Sequence, residues 1–294
     1  MRRYLHRQWQ VLHRRSLVVP LALALLLGGS AIATAQQVWQ GTTPVQPTTA
    51  LRAWQRSTIL YLGETHDNPA DHQAQLAILQ ALHRPSRPLA IALEMIQRPY
   101  QGALDAYIAG EITEMELLEQ TDYAQRWGFP WSLYAPIFRF AKEHGIPLIA
   151  LNTPTEITRQ VARSGLESLR AEDFQYIPPL AEIDLSNRRY RDRLAEIFEA
   201  AHAGRSHSLN VEFFYQAQVL WDETMAATIA EHHRQYPERL IVVLAGRAHL
   251  HHRDGIPQRV QRRLPASLQQ TIVLLNPTPA EKATPDLADW FWQH

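Results

Sequence analysis

The chain has 294 residues, 46% of them hydrophobic, with 29 basic and 29 acidic side chains and no cysteine. Its length suits one large α/β domain or two small ones, with core enough to fold without disulfides. Lacking cysteine, the sequence excludes thiolate metal sites, iron–sulfur clusters and a lipid-modified cysteine.

The first 35 residues do not read as part of a fold. They carry Arg2, Arg3, Arg7, Arg14 and Arg15 and no acid, then the apolar run Leu17–Leu27, then the small-x-small segment Ala33-Thr-Ala35. A positive start, a short apolar stretch and such a cleavage site predict a secretory signal peptide; an uncleaved anchor is the competing reading. Arg14-Arg15 resembles a twin-arginine signal only weakly. Cleavage would take away five arginines and leave a net charge of minus five. That balance argues against nucleic acid or an anionic membrane surface as a partner, and no RNP, helix-turn-helix or basic aromatic stripe is present. The expectation is an exported protein, periplasmic or secreted, soluble and without a membrane anchor after processing.

Residues 36–50, rich in Gln, Thr and Pro, read as a linker, and 51–294 as the folded domain. Five apolar runs punctuate that domain: Ile59–Leu62, Leu89–Leu93, Leu148–Leu151, Leu240–Ala245 and Ile272–Leu275. Helical periodicity separates them, so the chain reads β-α-β-α: an α/β fold with a mainly parallel sheet flanked by helices. Asn68-Pro69 predicts a helix start, Thr113/Glu116 and Thr153/Glu156 each predict a capping box, and Asn210 caps a long helix from about Val211 to Gln235. Two helical stretches fall outside the alternation: aromatic-rich 97–140, and charged 165–210 with Pro178-Pro179. Both are expected to be insertions capping the carboxyl edge of the sheet.

The first and fourth runs end alike, on Gly63-Glu-Thr-His66 and Gly246-Arg-Ala-His249. Glycine at a strand end permits a sharp turn and close approach, and parallel strands bring all their carboxyl ends to one crevice, where open α/β sheets bind ligands. Two histidines converging there suit an ion, a haem or a polar substrate. Glu64 and Glu94 also fall at strand ends. With His66 and His249 they form a set fit for a divalent metal ion, or for acid–base work without one; the bland alternative is packing or capping histidines. Asn152 and Asn276 are explained as well by turns. His251, His252 and Asp254 read as a solvated loop, and His202, His207, His232 and His233 as exposed helical residues. His72 points either to the crevice or to solvent. Asp222, on an apolar helix face, is within possible reach of the site. The segment Tyr123–Tyr134 could sandwich a flat apolar ligand or simply pack on the sheet. Neither a Gly-x-Ser-x-Gly elbow, a Walker loop nor a dinucleotide fingerprint occurs.

Leu62-Gly-Glu-Thr-His-Asp-Asn68, Ala92-Leu-Glu-Met95, Pro147-Leu-Ile-Ala-Leu-Asn-Thr-Pro154, Leu220-Trp-Asp-Glu-Thr-Met-Ala226 and Ala245-Gly-Arg-Ala-His-Leu250 together resemble the ChaN family. That family groups with Tiki and TraB proteins and, more distantly, with erythromycin esterases. The resemblance covers about residues 55–276 and implies an iron-regulated protein that binds haem at a dimer interface. The haem-facing candidates are then His66, Tyr123, Trp127, Trp131, Tyr134 and His249, with a homodimer as the expected partner. The Tiki and esterase relatives imply the rival reading, a metal-dependent hydrolase of peptidase or esterase type using Glu64, His66, Glu94 and His249. The chain departs from the family twice: it has no lipid-anchoring cysteine, and Ala248 stands where many relatives have glycine before the last histidine.

Overall fold

The computed structural model describes residues 36–84, 86–202 and 210–293; the expected signal peptide, His207 and the side chain of His202 lie outside them. Gln37–Gln40 (β1) and Thr43–Val45 (β2) form a hairpin about Gly41, whose φ of +55° suits glycine, and α1 (Pro47–Trp54) follows. The linker expected at 36–50 is therefore corrected: most of it is paired strand and first helical turn. Pro44 is tolerated because β2 is an outer edge, where a missing N–H costs no ladder bond.

Next come β3 (Ile59–Glu64), α2 (Pro69–Leu82) and β4 (Leu89–Gln97). The aromatic-rich insertion holds α3 (Gln101–Ala109), α4 (Glu114–Gln120), α5 (Tyr123–Arg126) and α6 (Trp131–Glu143). It leads to β5 (Leu148–Asn152) and α7 (Thr155–Ser164), then through short 3-10 turns to α8 (Arg188–His202) and α9 (Val211–Gln235). The chain closes with β6 (Leu240–Gly246), α10 (Ile256–Arg263), β7 (Gln270–Leu275), α11 (Pro279–Ala283) and β8 (Trp290–Gln293).

Among the described residues one mixed sheet runs β2-β1-β8-β7-β3-β6-β4-β5, parallel throughout except for the β1–β2 and β1–β8 pairs. Both faces are covered, which is why its strands read as unbroken apolar runs. Leu60, Leu62, Ile91, Leu93, Val242 and Leu244 look into one layer, with α2 and α6. Their neighbours Ile59, Tyr61, Ala90, Ala92, Ile241 and Val243 look into the other, with α9 and α10. At the β5 edge, the side-chain amide of Gln101 donates to the Leu148 carbonyl and accepts from the Ala150 N–H, both at 2.8 Å. It occupies the place that a further strand would take.

The helix starts at Asn68, Thr113 and Asn210 are capped as the sequence predicts. The Thr153/Glu156 box does not form. Pro154 drives the residue before it to extended backbone, the helix opens at Thr155, and the buried Thr153 hydroxyl has no partner among the described residues. His233 is buried, not exposed, and His232 half-buried, on the inner side of the last turns of α9. Among the described residues no helix is long and apolar enough to cross a membrane.

Candidate functional site

The site begins with a fault in the sheet. Leu93 pairs with Ala150, but the next paired residues are Gln97 and Asn152, so β4 bulges across Glu94-Met-Ile96. Asn152 holds the bulge by donating its amide to the Glu94 carbonyl at 2.7 Å, and its own oxygen accepts from the Trp221 indole of α9. Bulges re-aim side chains at strand ends, and here the result is a fixed Glu94.

Glu64 and Glu94 serve opposite layers. Glu64, last in β3, turns toward α2 and α6. One of its oxygens accepts from the Tyr134 hydroxyl (2.5 Å) and lies 2.9 Å from His66 Nδ1, while the other accepts from the Gln75 amide (2.5 Å). His72 stacks on Tyr134, with ring centroids 4.3 Å apart, and its Nε2 donates to the His66 carbonyl at 3.0 Å. His72 thus supports the crevice from below.

Glu94 turns toward α9. It accepts from the Gly246 N–H at 2.6 Å and lies 3.4 Å from His249 Nε2; His249 Nδ1 in turn lies 2.6 Å from Asp222, which also accepts from the Tyr190 hydroxyl. Burial opposes a charge on His249, but carboxylates on both nitrogens raise its pKa well above the ordinary imidazole value. Burial opposes the charge of Glu94 too, and His249, His66 and the Gly246 amide override it, holding Glu94 below the usual carboxylate range. For His66 the same opposition between burial and its neighbours Glu64 and Glu94 ends in a raised pKa.

Gly246 joins the two halves. A Cβ there would lie 2.8–2.9 Å from His66 ring atoms and 3.6 Å from Glu94, so the missing side chain is what lets the His66 ring lie over β6. Asp71 ties the loops together. It accepts from the Thr65 N–H (2.7 Å), the Asn276 amide (2.7 Å) and the Arg247 guanidinium (3.2 Å), so the turns after β3, β6 and β7 share one buried carboxylate.

Glu64, His66, Glu94 and His249 thus meet at one edge, His66 hydrogen-bonded to Glu64 and His249 ion-paired with Glu94. Among the described residues no group of three or more His, Asp or Glu side chains is arranged to hold a metal ion. Both nitrogens of His249 are taken, and its side chain is 10% exposed. His66 differs: it is 26% exposed and, among the described residues, bonded through Nδ1 alone. Trp127 stands edge-on to its ring at 4.8 Å, and Phe129 lies at 4.9 Å. From Phe129 an apolar groove of about 500 Å³ extends past Trp131, Tyr123, Leu118 and Met115.

Of the aromatic candidates, Trp127 and Trp131 are partly exposed, with Trp131 anchored through its indole N–H to Glu114. Tyr123 and Tyr134 are buried, and burial raises both phenols far above their ordinary value. The Tyr134 hydroxyl donates to Glu64 and so orients it. Sequence reasoning missed Gln75, Tyr190 and Asp71. Their only signal is a polar residue facing inward on an otherwise apolar helix surface, the clue that did draw notice to Asp222.

Fold and site define an α/β protein with an accessible imidazole at the carboxyl edge of its sheet. The chain belongs to the haem-binding uptake family of the Tiki superfamily, ChaN, whose profile matches residues 50–260. Among solved structures it is similar to one described as cofacial haem binding to ChaN of Campylobacter jejuni, with TM-score 0.69 and 17% identity over 87% of this chain and 96% of that one. An erythromycin esterase in its open conformation is more distant, with TM-score 0.47 and 14% identity over 83% of this chain and 77% of that one. Protein RETICULATA-RELATED 5, chloroplastic, of Arabidopsis thaliana is 26% identical over 264 residues, 82% of this chain. The chain spans 35% of that relative's length.

Proposed function

We propose that this protein is exported and binds haem for its uptake or handling, and that His66 would hold its iron. The observation that carries this reading is the difference between the two strand-end histidines. A ligating histidine characteristically donates its second ring N–H to a carboxylate, which fixes the ring and leaves the other nitrogen's lone pair for the metal. His66 has that arrangement through Glu64, and its Nε2 has no hydrogen bond among the described residues. His249, held between Glu94 and Asp222, has no nitrogen to spare.

A porphyrin also needs apolar walls, which Trp127, Phe129 and the groove beside them supply. His66 would hold the iron that haem would supply there. Glu64, Tyr134 and Gln75 orient the His66 ring, and the aromatic wall keeps water from one side of it. A slot open on the other side leaves porphyrin surface wet, so pairing of two chains across it buries more apolar area.

The test is haemin titration with absorbance and Trp fluorescence, together with sedimentation. The wild type should shift the Soret band, quench Trp127 and dimerise. His66→Ala should weaken binding by at least about tenfold, the scale on which even outer groups of a metal site act. His249→Gln should bind haemin far better than His66→Ala. The absence of any Soret shift in the wild type would end the haem reading, and loss in His249→Gln alone would reverse the roles of the two histidines.

A further inference from the structure

α2 and α6 both run back from the carboxyl edge of the sheet, so their C-termini meet at the opposite, amino edge, just before β4 and β5. Each ends on a histidine at its C-cap: His83 for α2 and His144 for α6. The two rings lie with centroids 4.8 Å apart and planes at 74°, backed by Phe140, whose ring is 4.5 Å from His144 and 5.8 Å from His83. This pair plays no part in the strand-end site, and we propose that it is a second site, for a borderline divalent transition ion of the copper(II) class.

Distance, tautomer and field all favour a cation there. With metal–nitrogen bonds of about 2.0–2.1 Å, two imidazoles in neighbouring positions on one ion hold their centroids roughly 4.5–5 Å apart. The observed spacing falls in that range, so little movement is needed to close on an ion. His144 Nδ1 donates to the Phe140 carbonyl at 3.0 Å, which leaves Nε2 as the nitrogen with the lone pair. His83 has no side-chain hydrogen bond among the described residues, so either of its nitrogens can turn to the same ion. Two helix C-termini converge on the spot, and their partial negative charge and free carbonyls attract a cation.

The neighbouring cations are directed elsewhere, Lys142 to the Ile112 carbonyl and Arg84 to the Gln55 side chain. His144 is exposed and His83 half-buried, so an ion can enter from solvent and water completes its coordination. Imidazole donors suit copper, nickel and zinc, and copper(II) stands highest in the affinity order.

The experiment is calorimetric titration of metal-stripped protein with copper(II), read in parallel by electron paramagnetic resonance. The wild type should bind one equivalent with nitrogen hyperfine structure. His83→Ala and His144→Ala should each lower that affinity by at least about tenfold, and His66→Ala should leave it unchanged. Copper bound equally well by both C-cap variants, or lost with His66→Ala, would overturn the assignment, as would no saturable equivalent at all. Haem binding is read separately through the Soret band, so either proposal can fail without the other.

Discussion

His249 shows what one residue owes to its neighbours. Its folded pKa is raised, so its charge contributes stability fully below the unfolded value of about 6.5 and loses it as pH climbs toward the folded one. Glu94 has a depressed pKa, so its contribution is present above about 4.3 and disappears as pH falls through the folded value. Both are therefore fully present only in the window from about pH 4.3 to 6.5. The thermal midpoint of the wild type should fall between about pH 6.5 and 9, and His249→Gln should flatten that decline. A parallel decline in the variant, measured by scanning fluorimetry across that range, would assign it to other groups. Residue identity made the members of the site legible, since Glu64, His66, Glu94 and His249 all ended apolar runs. It did not make their division of labour legible. Whether an imidazole nitrogen is free or spent depends on Asp222 and Tyr190, which come from helices remote in sequence.

At the scale of elements, the five long runs were readable because a strand buried on both faces has no polar alternation to confuse the pattern. The others were hidden by composition and length. Thr43-Pro-Val45 reads as turn or tether because an outermost strand can carry Pro, and Trp290–Gln293 is four residues long, nearly all aromatic. The bulge at Glu94 left no trace in the sequence, since it depends on Asn152 of the neighbouring strand. Gln101 is equally cryptic: a helical glutamine whose amide seals the β5 edge. Gln101→Ala should cost about 1–3 kcal/mol for two lost hydrogen bonds. It should also promote concentration-dependent self-association through the uncovered strand. Chemical denaturation and size-exclusion chromatography over a range of concentrations check the two effects; an unchanged midpoint and a single elution volume would show that the edge needs no guard.

At the scale of the whole molecule, the two half-sites belong to different packing layers and meet over a glycine. The Glu64 half leans on α2 and α6, the Glu94 half on α9. The layers are closed at one side by the oldest and youngest parts of the described chain: β1 lies against β8, with Gln37 opposite Gln293 and Val38 opposite Trp292. Trp54 of α1 seals this seam, 5.8 Å from both Trp290 and Trp292. Opposite residues of an antiparallel pair have Cα atoms about 4.5–5.5 Å apart, so a few residues of linker can join position 37 to position 293 without strain. The order in which the ribosome delivers these strands is then not a requirement of the architecture. A circular permutant reopened in the exposed turn between Ala266 and Ser267 should fold to the same helical signal and melt within a few degrees of the parent. A permutant that never reaches that signal would mean the seam must be laid down in its natural order.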